Sequence, residues 1–277
     1  MMDLLQFGFM QRALIAALLV GLAAPAIGTF IVQRRLALLG DGIGHVALTG
    51  VALGFLTGTA PVLTAVVVSV LGAVAIELVR ERGRTGGDVA LALLFYGGIA
   101  GGVLLISLAP GGSNSNLLYY LFGSISSVSV EDVWVIALLA VAVLGVVALF
   151  GRELYVLCQD EEVAKASGLP VRFLSLLIAV TAALTVVIAM RVVGLLLVSA
   201  LMVVPVATSQ QLTRGFRSTM LLSMAFGMIS TVSGLTSSFY VKVPSGAIIV
   251  VIALGGFVLA LALGRFIRRS RPQESNP

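Results

Sequence analysis

The sequence predicts an all-α polytopic membrane protein of eight to nine transmembrane helices, and three observations carry that reading. Hydrophobic residues make up 59% of the 277 residues and charged residues only 10%, against about 25% charged in an ordinary soluble domain. Apolar runs close to the ~20 residues that cross a bilayer recur along the whole chain. The basic residues gather in alternate connections between those runs, as they do in cytoplasmic loops. No long polar stretch leaves room for a water-soluble domain, so residues 1–270 read as a single transmembrane domain with a polar tail over 271–277. The one cysteine, Cys158, excludes a disulfide within the chain and a Cys-based metal site within one copy.

The first span is expected over Ala13–Val32. Arg12, the apolar run after it and Ala23-Ala24-Pro25-Ala26 imitate a secretory signal. The run continues far enough to span and further spans follow it, so it reads as a retained helix. A second span runs from Leu36 to about Gly58, interrupted by Gly40-Asp41-Gly42-Ile43-Gly44. A third covers Val62–Val79 and is closed by Arg80-Glu81-Arg82-Gly83-Arg84. The fourth, Val89–Leu108, opens after Asp88.

Residues 109–131 form a Gly/Ser/Asn-rich connection around the apolar piece Leu117–Phe122. That piece is too short to cross and reads as interfacial or re-entrant. Val133–Phe150 is the fifth span, and a polar loop is expected over about 151–172. Further spans are expected over Phe173–Met190, from Gly194 to about Ser209, and over Thr219–Phe239 and Ser245–Gly264.

Nine spans in alternation place 14 of the 17 basic residues on one face, leaving Arg12, Arg191 and Lys242 on the other. The positive-inside rule makes the basic face cytoplasmic, with the N-terminus outside and the C-terminus cytoplasmic. Basic residues spread over five loops as topological signals also argue against a nucleic-acid partner.

Asp41 and His45, the only histidine of the chain, stand out from this apolar background. Residues four apart on a helix share a face, with Cβ atoms about 5–6 Å apart. If the second helix begins near Arg34, Asp41 lies about 10 Å and His45 about 16 Å along it. Ionisable groups at that depth mark transport paths. The flanking glycines allow an unwound turn that would free backbone carbonyls. The competing structural reading has Asp41 capping a helix that starts at Gly42, with His45 satisfied by a neighbouring backbone group. Imidazole and carboxylate suit zinc, and manganese or iron would accept them too. Two ligands make an incomplete site, and a twofold homodimer would bring two Asp41–His45 pairs together.

The phosphate loop G-x-x-x-x-G-K-[ST] is absent, since the two lysines precede Ala166 and Val243. Transport must then draw on an ion gradient or on a partner. The run Asp160–Pro170 reads as a short helix with acids in its first turn and Gly168 and Pro170 as its stop. It suits the grip of an ATPase subunit and, equally, a surface connector.

Several stretches carry a resemblance. They are Gly40–Ala47, Leu121–Ile125, Glu161–Gly168, Val193–Leu201 and Pro244–Ala247. Together they resemble the permease subunits of ATP-binding-cassette importers for zinc, manganese or iron, and the similarity runs from about residue 10 to 266. The resemblance implies a homodimeric channel with two cytoplasmic ATP-binding subunits and an extracytoplasmic metal-binding protein. It implies that Asp41 and His45 face the path as transient metal ligands. It implies ATPase docking on the loop helix, with Glu161, Glu162, Ala164, Ala166 and Gly168 as the residues concerned. Gly44 and Thr49 stand where relatives often carry Ser and Pro, and Lys242 where they are often less basic. The expected function is import of a divalent metal, zinc first, with no permanently bound cofactor and hydrolysis on the partner subunits rather than on this chain. The rival is a stand-alone carrier driven by an ion gradient.

Overall fold

The computed structural model of the chain describes residues 6–81, 87–108, 119–124 and 128–269, with the backbone alone at 87, 88 and 264–269. Arg82, Arg84, most of the 109–131 connection, Ile125 and the 271–277 tail lie outside the described residues.

Ten helices carry the described chain. They are α1 Gly8–Gln33, α2 Leu39–Thr57, α3 Pro61–Glu81, α4 Gly87–Leu108 and α5 Val130–Gln159. The remainder are α6 Glu161–Ala166, α7 Val171–Met190, α8 Val198–Leu212, α9 Phe216–Val241 and α10 Ser245–Arg269. Eight of these are long and apolar enough to cross a membrane; α8 is a shorter apolar helix of 15 residues. Leu63 and Leu71 on α3, Leu93 and Leu104 on α4, and Trp134 and Leu138 on α5 are exposed on the outside of the bundle. Apolar side chains facing outward suit a lipid solvent.

The helices alternate between two ends of the bundle. At one end the Arg34 guanidinium, just past α1, meets Glu161 at the start of α6. Arg80 near the end of α3 and the start of α7 lie beside the same group. At the other end Arg191, just past α7, pairs with Asp132 of α5 at 3.1 Å. There Ser245 of α10 donates to the Val192 carbonyl at 2.7 Å, and Phe7 packs on Phe239. Apart from the short α6 and from α8, whose second residue already meets Asp41 of α2, the helices run between the two ends, with α1 starting at the Arg191 end.

Small residues permit this packing. α1 is the central helix, packed against α5, α7, α8 and α9, and its Ala13, Ala16, Ala17, Ala23 and Ala24 are fully buried. Gly21 and Gly227 face each other so closely that a Cβ on Gly227 would stand 2.3 Å from the Gly21 carbonyl oxygen. Lipid tails are as apolar as the helix faces, so close backbone contact replaces the hydrophobic effect as the source of cohesion.

The structure departs from expectation at three places. α5 continues through the expected polar loop to Gln159, because Leu154, Leu157 and Cys158 remain buried on the α5 face that packs inward. The loop therefore shrinks to the residues around α6. The span expected from Gly194 begins only at Val198, since Gly194 has φ +88° and a Cβ there would lie 2.4 Å from the Leu121 carbonyl oxygen. No turn unwinds at Gly40–Gly44, as α2 is continuous from Leu39.

Candidate functional site

α2 begins at Leu39 with no side-chain cap, which places Asp41 within the first turn rather than at the cap. An acid there is favoured by the helix dipole. Its carboxylate accepts a hydrogen bond from Ser199 Oγ of α8. One turn on, the His45 ring packs edge-on against Phe95 of α4, with centroids 4.4 Å apart. Both side chains are half-buried.

The glycines expected to unwind the chain here instead bring neighbours close. A Cβ on Gly40 would meet Ser199 Cβ at 3.2 Å, and one on Gly44 would meet the Leu195 carbonyl oxygen at 3.2 Å. From the other side, Gly98 of α4 leaves room for the His45–Val46 backbone, which a Cβ would approach to 2.7 Å. Thr49 Oγ1 donates to the Gly98 carbonyl at 2.8 Å, tying α2 to α4.

These contacts fix the level of the pair. Gly72 of α3 lies against Val46 nine residues before Glu81, and Gly98 lies eleven residues after Gly87. At about 1.5 Å per residue, both put His45 some 14–17 Å from the Arg34 end. The start of α2 is recessed into the bundle, so the pair lies at mid-level although the helix begins at Leu39, three residues after the expected start of the span and five after Arg34. Among the described residues no three His, Cys, Asp or Glu side chains gather as a metal site. One copy therefore supplies a carboxylate and an imidazole on one helix face.

At the Arg34 end, α6 forms as a single capped turn and a half. Asp160 Oδ1 accepts from the backbone N–H groups of Glu162 and Val163 at 2.8 and 3.1 Å. Gly168 closes the segment with φ +76°, the left-handed conformation that favours glycine. Glu162, Ala166 and Gly168 are exposed, whereas Ala164 is fully buried and supports the helix from beneath. Glu161 turns toward the bundle, with Oε2 3.3 Å from Arg34 and Oε1 3.0 Å from Lys165. The Lys165 hydrogen bond, assisted by the charges of Lys165, Arg34 and Arg80, holds the Glu161 carboxyl below its ordinary value against the opposing effect of burial.

At the Arg191 end, residues 119–122 form a short helical piece that lies on the 191–197 connection. Leu195 and Leu196 N–H groups donate to the Tyr120 and Leu121 carbonyls at 2.9 and 3.2 Å. Arg191 lies 4.7 Å over the Tyr120 ring, and Tyr120 also packs on Phe55 of α2. Lys242 adopts φ +57° and ends α9 ahead of Pro244.

Sequence reasoning missed Ser199 and Arg34. Ser199 is one hydroxyl in an apolar run, and the only signal for it was that the run belonged to the stretches carrying the resemblance. Arg34 read as a topological charge, yet its side chain is only 6% exposed.

Comparison with known proteins covers nearly the whole chain. A family model described as the ABC 3 transport family matches residues 6–264. The manganese transport system membrane protein MntC of Listeria innocua is 35% identical over 250 residues, 90% of this chain and 89% of that protein. The manganese import system permease protein ScaB of Streptococcus parasanguinis is 34% identical over 254 residues, 92% of this chain and 90% of that one. Among solved structures, PsaBC from Streptococcus pneumoniae in complex with Fab superposes with a TM-score of 0.86. It is 33% identical and covers 98% of both chains.

Proposed function

The chain belongs to the ABC 3 transport family, and on that premise we propose that it is the membrane permease subunit of an importer for a divalent transition metal. ATP hydrolysis falls to partner subunits. The observation that carries this reading is the Asp41–His45 face of α2 at mid-level in the bundle, with Asp41 held by Ser199. An ionisable pair at that depth in a multi-pass membrane protein is costly unless it faces a path. Two ligands per copy give weak, incomplete coordination, which suits an ion that must also leave. A second copy of the chain across a twofold axis adds a second pair.

The carboxylate and imidazole accept manganese, iron or zinc. Zinc is the first expectation from the sequence, but the similar listerial and streptococcal proteins are named for manganese, which moves manganese ahead. The exposed face of α6, with Glu162, Ala166 and Gly168, is the docking surface for an ATP-binding subunit. The Arg191 end receives an extracytoplasmic metal-binding protein.

Proteoliposomes holding this chain, its ATP-binding subunits and its binding protein test the reading. ATP-dependent uptake of radioactive manganese, exceeding that of zinc, is expected. Uptake that persists without the ATP-binding subunits would assign a gradient-driven carrier instead. Preferred uptake of zinc would return the cargo to the first expectation.

A further inference from the structure

Outside the metal path, charged groups form a network around Arg34. Its side chain is almost fully enclosed, at 6% exposure, and the guanidinium divides its donors between two elements. Nη1 donates to Ser175 Oγ of α7 at 2.9 Å and Nη2 to Glu161 Oε2 of α6 at 3.3 Å. On the α3 side, Arg80 pairs with Glu77 at 2.6 Å, and Glu81 pairs with Arg172 of α7. Arg34 alone of these groups stands in the connection that leads into α2.

That connection is short and braced. The Arg34 N–H donates to the Phe30 carbonyl, Leu36 to Ile31, Leu39 to Leu36 and Gly42 to Leu38, all at 2.8–3.1 Å. Arg35 adopts φ +59°, a left-handed conformation uncommon for a side chain of its size. Six residues of such backbone separate Arg34 from Asp41. A displacement of α6 therefore has a tight mechanical route to the helix that carries Asp41 and His45.

We propose that Arg34 is a positioning residue that conveys the movement of α6, through its contact with Glu161, to the 34–38 turn and so to α2. The proposal rests on the importer reading above. Ser175 holds the guanidinium against α7, which serves as the fixed side of the joint. Energy released on the ATP-binding subunits then reaches the metal pair without those subunits touching it.

The test uses the assembled transporter with Arg34→Gln, Glu161→Gln, and the exchanged pair Arg34→Glu with Glu161→Arg. Each single variant is expected to lower uptake per ATP hydrolysed by about tenfold. ATP turnover should stay within about twofold, with ATP-binding subunits still copurifying. The exchanged pair should recover much of the loss. Parallel losses of uptake and ATP turnover, loss of the subunits, or no recovery in the exchanged pair would reduce Arg34 to a structural contact and overturn the proposal.

A second readout needs no cargo. Spin labels on Leu38→Cys, which is exposed at the 34–38 turn, and on Gly145→Cys, whose Cβ meets open space on α5, report the position of that turn. Cys158→Ser supplies the background. ATP is expected to change the separation in the otherwise unaltered protein and not in Arg34→Gln. An unchanged response in Arg34→Gln would overturn the proposal. A normal response with no metal uptake would count against the importer reading alone.

Discussion

Ser199 Oγ donates a hydrogen bond to the Asp41 carboxylate, joining the second residue of α8 to the first turn of α2. The hydroxyl orients one candidate metal ligand from a helix that contributes no charge of its own at that level. The carboxylate keeps lone pairs free beside this bond, since an ionised carboxylate offers about four acceptor sites.

Removing that hydroxyl should weaken metal capture without dismantling the bundle. Ser199→Ala loses a hydrogen bond to a charged group, a contribution of about 1.5–3 kcal/mol at most. The expected result is a KM for metal raised by roughly tenfold with kcat little changed. Uptake kinetics at varied manganese concentration check it, and an unaltered KM would show that Asp41 needs no orienting partner.

The two candidate ligands should themselves be indispensable. His45→Ala or Asp41→Ala is expected to abolish uptake while leaving membrane insertion and assembly with the ATP-binding subunits intact. Normal uptake in both variants would return the pair to a structural role. Size-exclusion chromatography of the purified complex separates loss of function from loss of assembly.

Adjacent glycines on α4 should respond in opposite ways. A Cβ on Gly98 would stand 2.7 Å from the His45–Val46 backbone, while one on Gly97 meets nothing within 4 Å. Gly98→Ala must separate α2 from α4 and should destabilise by about 1–3 kcal/mol. Gly97→Ala should be neutral or stabilising by up to about 1 kcal/mol, from helix propensity alone. Thermal unfolding in detergent distinguishes them, and equal melting temperatures would refute the close approach.

The Glu161 contact should fade in acid. Its carboxyl lies below its ordinary value of 4.5, chiefly through the Lys165 hydrogen bond. A depressed carboxyl contributes stability that is fully present above its unfolded value and lost as pH falls through the folded one. The difference in melting temperature between the unaltered protein and Glu161→Gln should therefore be constant near neutrality and shrink below about pH 4.5. A difference that persists unchanged in stronger acid would show that charge at Glu161 is irrelevant to the joint.

Hydropathy and charge patterning made the helical membrane architecture legible in the sequence, because a bilayer requires each crossing to be long, apolar and internally hydrogen-bonded. The Asp41–His45 spacing was legible for a similar reason: helix periodicity alone puts the two residues on one face. Their mid-level position also agrees with the sequence estimate, though by another route. Packing of Gly72 and Gly98 against Val46 and His45 sets the level, whereas counting residues from Arg34 assumed a helix that begins there rather than at Leu39.

Tertiary structure decided the rest. Whether the glycines around Asp41 unwind or merely allow close packing depends on α4, α8 and the Leu195 carbonyl, which are distant in sequence. Ser199 meets Asp41 across 158 positions and Arg34 meets Glu161 across 127. Local propensity carries no information about such pairs, because each residue alone is an ordinary hydroxyl or a loop charge. Only the fold makes one the hydrogen-bond partner of Asp41 and the other a nearly buried contact of Glu161.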